Sequence, residues 1–224
     1  MAVSVSKPWL LFILVIAILA VNSKLAVGDH RRTRRELAAD IPGFITLSCG
    51  LPANSSFEEE TSGIRYISDV TFVDTGISRS LPLEIKGNMK QYVWYLRSFP
   101  EGIRNCYTIN NITRGTKYLI RAVFLYGNYD GEDKLPEFDL HLGASKWDTV
   151  KFVNAVKSVW KELIHVPSLN CIQICLVNKK LGTPFISTIE LRQLQNTTYE
   201  TLTGSLALRY RYDVGNTKSD QYYR

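Results

Sequence analysis

Between Lys117 and Trp147 the chain carries two runs in which side-chain character alternates with a period of two. Tyr118, Ile120, Ala122, Phe124 and Tyr126 share one face of an extended chain, and Leu119, Arg121, Val123 and Leu125 share the other. Further on, Phe138, Leu140 and Leu142 alternate with Asp139 and His141. Such alternation marks half-buried β-strands. The intervening GNYDGEDKLP is polar and rich in turn residues, so the pattern predicts two core strands joined as a long hairpin.

The same rhythm extends over the rest of the chain. GFITLSCGLP (43–52) reads as a first strand ending in a Gly-Pro turn, and IRYISDVTFVDTG (64–76) as short β pieces broken at Asp69. YVWYLRSF and CYTI follow, and residues 77–89, which lack periodicity, read as a surface connection. Trp147–Val153, Val159–Val166, Ile172–Val177 and Phe185–Leu191 are each of strand length. The C-terminal LALRYRYDVG starts another β-like run with nothing after it to pair with, so residues 196–224 read as the start of a linker or second unit, cut short. No stretch after the first 28 residues sustains a helical stripe. Many short strands with turn signals about every ten residues predict an all-β fold, an antiparallel jelly-roll-type β-sandwich over 43–195.

The N-terminus changes the picture of location. Trp9–Val21 is an apolar run of 13 residues after Lys7, the length of a signal-peptide core, with small residues Ala26 and Gly28 before a cleavage point. Residues 1–28 are thus expected to be a signal peptide and 29–42 a basic tail. Three N-x-S/T sequons, at Asn54, Asn111 and Asn196, fit a secreted glycoprotein. No second apolar stretch of membrane-spanning length follows, and the expected location is the secretory pathway and the cell exterior.

A net charge of +6 raises the question of nucleic acid, but the excess is local. Two basic residues lie in the leader and four Arg beside Asp29 in residues 29–35, which leaves 21 basic against 20 acidic residues elsewhere. A near-neutral domain is not a nucleic-acid binder. No phosphate-binding glycine loop supports a nucleotide, and no G-x-S-x-G elbow supports a hydrolase. The acidic runs Glu58–Glu60 and Asp130/Glu132/Asp133 read as solvated, and neither a metal site nor a cofactor is expected. Trp94, Trp147 and Trp160 are assigned to packing.

Of Cys49, Cys106, Cys171 and Cys175, the last two sit four apart in one predicted strand, about 13 Å, beyond disulfide reach. Cys49 with Cys106 is the expected pair. The candidate ligand site is the loop: a sugar ring offers a C–H face to an aromatic and hydroxyls to Asp or Asn, so Tyr126, Asn128, Tyr129 and Asp130 form the candidate set.

The ordered motifs GFITLSCGLP, IRYISDVTFVDTG, LRSFPEGIRNCYTI, KYLIRAVFLYGNYDG, PEFDLHLGASKWDTV and ICLVNKKLGTPFISTIELRQL resemble the plant malectin-like ectodomain of leucine-rich-repeat receptor-like kinases. The resemblance implies a jelly-roll sandwich related to the lectin malectin, non-catalytic, in a receptor whose repeats, membrane helix and Ser/Thr kinase lie beyond Arg224. It implies sensing of a cell-wall glycan, or of a peptide ligand together with a co-receptor; the alternative role is packing on a second malectin-like unit. It places the loop of Tyr126 and Tyr129 where malectin binds sugar, puts Cys49, Cys106 and Cys175 at family cysteine positions, and makes Cys171 a departure.

Overall fold

The computed structural model describes residues 44–195, 197–199 and 204–209. The expected signal peptide, the basic tail and the Asn196 sequon lie outside the described residues. Seven strands form one sheet in the order β14 (Ser205–Leu208), β10 (Val159–His165), β7 (Tyr118–Phe124), β13 (Thr188–Gln193), β1 (Ile45–Ser48), β3 (Arg65–Ser68) and β2 (Ser56–Glu58). Four more form a second in the order β6 (Arg104–Asn110), β11 (Cys171–Leu181), β8 (Glu137–Leu142) and β9 (Ser145–Val150). A small third sheet joins β12 (Phe185–Ile186), β5 (Tyr95–Ser98) and β4 (Ile77–Ser80). Pairing is antiparallel except between β1 and β3, which run parallel. Among the described residues no helix is long and apolar enough to cross a membrane.

The seven-residue strand β7 is buried along its whole length. On one face, Tyr118, Ile120, Ala122 and Phe124 enter the core, where Phe124 meets Phe138 of β8 edge-on at 5.7 Å. On the other lies Arg121, 4% exposed, which a purely apolar face would not tolerate. Both flanking strands answer it in register: Glu162 of β10 and Glu190 of β13 stand directly opposite and take its guanidinium at 2.6 and 3.1 Å. Trp160 of β10 is 42% exposed and lies over that guanidinium at 4.9 Å, so it caps an ion pair instead of filling the core.

Three sequence expectations are corrected here. The strands flanking the candidate loop are not a hairpin: β7 pairs with β10 and β13, β8 with β9 and β11, and residues 125–136 cross between sheets. The expected strand Phe185–Leu191 is two strands, because the chain changes sheets at Ser187, whose N–H and carbonyl bond Val123 and Cys49. The C-terminal run does find a partner, since Ser205–Leu208 pairs with β10 and closes the edge of the large sheet. Within 77–89 lie the fully exposed strand β4 and one helical turn, Leu83–Lys86.

Candidate functional site

Residues 125–136 turn sharply because Gly127, Asn128, Gly131 and Asp133 all adopt positive φ. Gly127 is required twice over. Its φ is +51°, and an added Cβ would lie 2.6 Å from Leu81 Cδ2. Its N–H donates to the Ala155 carbonyl at 2.7 Å, so the segments around Leu81, Gly127 and Ala155 meet at one point.

The candidate set is brought together, but its members hold the loop and are not all presented outward. Tyr126 is 1% exposed. Its phenol donates to Asp130 Oδ1 at 2.6 Å, with Asn128 Oδ1 3.1 Å away. Burial, reinforced by the bond to Asp130, pushes its ionisation above the ordinary tyrosine range. Asn128 clamps Asp133 reciprocally, receiving its N–H at 3.0 Å and donating to its carboxylate at 2.7 Å. Asp130 also accepts the Glu132 N–H at 3.2 Å. Tyr129 is half-buried, its ring edge-on to Phe185 at 5.2 Å and to Tyr126 at 5.7 Å. Burial and the Asp130 charge raise its ionisation too. Asp130, Glu132 and Asp133 face solvent.

Sequence reasoning missed a buried polar node inside the fold. Asp69, read as a strand breaker, has no exposed surface. It accepts from Arg97 at 2.6 and 2.8 Å, from the Tyr107 hydroxyl at 2.8 Å and from the Gly50 N–H at 3.0 Å. The Cys49 thiol lies in the same node, and burial, then the Asp69 charge, push its ionisation well up.

That node explains why the expected Cys49–Cys106 disulfide does not form. Tyr107 points inward to Asp69, so Cys106, one residue away on the same strand, points to the opposite face. There it stands directly across from Cys175 of β11, and these two form the disulfide, leaving Cys49 buried and Cys171 partly exposed as free thiols. The two sequons within the described residues, Asn54 and Asn111, are exposed at turns with φ of 61° and 62°.

Residues 47–224 match the family model of the malectin-like domain. A probable LRR receptor-like serine/threonine-protein kinase of Arabidopsis thaliana is 50% identical over 181 residues, covering 80% of this chain and 21% of that protein. The chain thus spans about a fifth of that relative's length. Among solved structures, the ANX1 ectodomain of Arabidopsis thaliana superposes with a TM-score of 0.57 at 18% identity, over 68% of this chain and 42% of that one. A plant complex of the peptide RALF23 with FER and LLG2 gives 0.53 at 15% identity, over 74% and 44%. At such identities the likeness is one of fold: a nearly all-β architecture shared with receptor-kinase ectodomains. Given a family match over most of its residues and a relative at half identity, the chain belongs to the malectin-like domain family.

Proposed function

We propose that this chain is a non-catalytic, extracellular ligand-sensing module of a plant receptor-like kinase, and that its ligand surface is the end of the sandwich where three segments meet at Gly127. The observation that carries this reading is the division of labour there. Tyr126 and Asn128 are spent on holding the loop. The segments around them carry exposed apolar side chains, Leu83 at 81%, Val153 at 79% and Val156 at 47%. A rigid loop beside exposed aliphatic residues suits a peptide or a protein co-receptor better than a sugar, which needs an exposed aromatic face. The RALF23 peptide complex of a fold neighbour, with LLG2 as third component, supports the same direction. The kinase of the relatives lies outside this role, and residues 1–28 would deliver the module to the cell surface, with Asn54, Asn111 and Asn196 as glycan acceptors.

The test is a binding comparison with the secreted chain. Candidate secreted peptides and co-receptor ectodomains are titrated by interferometry, in parallel with cell-wall oligosaccharides. Leu83→Asp and Val153→Asp are expected to abolish binding of the peptide or co-receptor while the far-UV circular dichroism stays unchanged. Oligosaccharide binding that survives both substitutions and disappears in Tyr129→Ala would replace this reading by the glycan one.

A further inference from the structure

The outer face of the four-stranded sheet carries a row of groups that the proposed ligand surface does not use. Cys106 of β6, Cys175 of β11, His141 of β8 and Lys146 of β9 stand side by side in register across all four strands. Arg104 lies on the same face two residues before Cys106, with one guanidinium nitrogen on the Gly143 carbonyl and another 3.4 Å from His141 Nδ1. Asp139, bonded to Thr149 and paired with Lys146 at 2.9 Å, is the carboxylate of this neighbourhood. The two cysteines differ in exposure. Cys175 has no exposed surface, whereas Cys106 is half-buried on an edge strand.

We propose that the Cys106–Cys175 disulfide is a thiol-exchange site for a low-molecular-weight thiol of the glutathione class, with Cys106 as the attacked sulfur. The incoming thiolate bonds to Cys106 Sγ as the Cys106–Cys175 bond breaks, and the electron pair leaves on Cys175 as a thiolate. A second thiol molecule can then release Cys106, so that one disulfide is reduced and two thiols are oxidised to theirs. Attack at Cys106 follows from its exposure. The fixed positive charge of Arg104 near the pair favours the thiolate forms on which exchange depends.

Exchange here is separable from unfolding. β6 and β11 stay paired through seven register positions, and their inner faces, Tyr107, Ile109, Ile172, Ile174 and Leu176, remain in the core. Neither free cysteine can intercept the reaction: Cys49 is fully buried on the opposite side of β6, and Cys171 lies four strand residues from Cys175, about 13 Å away. Opening the bond leaves β6, with no covalent tie to β11, held by its ladder, its inward side chains and the Thr108 N–H bond to the Phe72 carbonyl. Its Tyr107 helps to fix Asp69, so the edge strand and the node beneath it are the parts that loosen.

The experiment treats the folded Cys171→Ser variant with reduced glutathione at graded ratios to its disulfide, quenches with acid and maps the products by peptide mass spectrometry. Glutathione is expected on Cys106 at least tenfold more than on Cys175. The circular dichroism should be unchanged, with faster hydrogen exchange in residues 104–110 but not in 118–124. Arg104→Gln is expected to slow the reaction several-fold. Modification mainly of Cys175, reaction only under conditions that also abolish the circular dichroism, or no reaction in the native state would each overturn the proposal.

Discussion

Asp69 and Arg97 face each other inside the sandwich through two parallel hydrogen bonds of 2.6 and 2.8 Å, and neither side chain is more than a tenth exposed. The carboxylate also fixes the turn after β1 through the Gly50 N–H and holds β6 through Tyr107. One residue thus ties together a turn and two strands from different sheets. The bond to Asp69 holds the guanidinium protonated more firmly than usual.

Removing one partner leaves the other charge buried and alone, which is where the large cost lies. Asp69→Ala is expected to destabilise the fold by about 3–5 kcal/mol, as for other broken buried pairs. The double replacement Asp69→Ala with Arg97→Met should recover part of that loss, since no uncompensated charge remains. Urea midpoints of the three proteins decide it: equal losses in the single and double variants would mean that the pair contributes through packing alone.

Tyr126 offers a second, smaller test. Tyr126→Phe keeps the ring among Phe152, Phe185 and Tyr129 and removes only the donor to Asp130. The expected loss is about 1.5–3 kcal/mol, as for a hydrogen bond to a charged acceptor, with faster hydrogen exchange in residues 127–133. Tyr126→Ala, by contrast, opens a core cavity and is expected to cost about 3–5 kcal/mol. Lost ligand binding in the alanine variant alone would therefore report on folding, and the phenylalanine variant is the one that speaks to recognition.

This outcome for Tyr126 was written in its phase. It falls on the same side of the chain as Tyr118, Ile120 and Phe124, and alternation that puts those residues inside puts Tyr126 inside as well. What alternation does not contain is the partner strand. Period two assigns a face, and register and sheet membership come from contacts distant in sequence. So β7 and β8 were legible as strands but not as members of different sheets, and Cys106 was legible as a strand residue but not as the neighbour of Cys175. Strand β4 escaped because both its faces are exposed and leave no pattern. Asp69 was misread because a buried acid and a turn acid look alike until Arg97 is known to face it. Arg121 and Glu190, charged residues inside otherwise apolar strands, were the visible sign of a buried pair.

His165 gives a dependence on pH. It is half-buried, with Nδ1 2.7 Å from Ser205 Oγ, and burial lowers its pKa below the ordinary 6.5. Above pH 6.5 both folded and unfolded chains hold it neutral. As the pH falls through 6.5 the unfolded chain takes up a proton that the folded chain refuses, so stability declines until the lower folded value is reached, and then levels off. Urea midpoints between pH 7.5 and 5 should therefore fall more in the native sequence than in His165→Gln. Parallel curves for the two would show that the imidazole is indifferent to folding.

The two free thiols should separate cleanly by reactivity. Cys171 is partly exposed, whereas Cys49 has no exposed surface and sits beside the Asp69 carboxylate. Burial and that negative charge both disfavour the thiolate, so raising the pH within the native range gains little nucleophile at Cys49. Iodoacetamide is expected to label Cys171 in the folded protein within minutes and Cys49 only at the rate of unfolding. Peptide mapping without reductant should recover residue 106 joined to residue 175 and residue 49 unlinked. A peptide joining Cys49 to Cys106 would contradict the opposed directions of Cys106 and Tyr107 on β6, and with them the register of the four-stranded sheet.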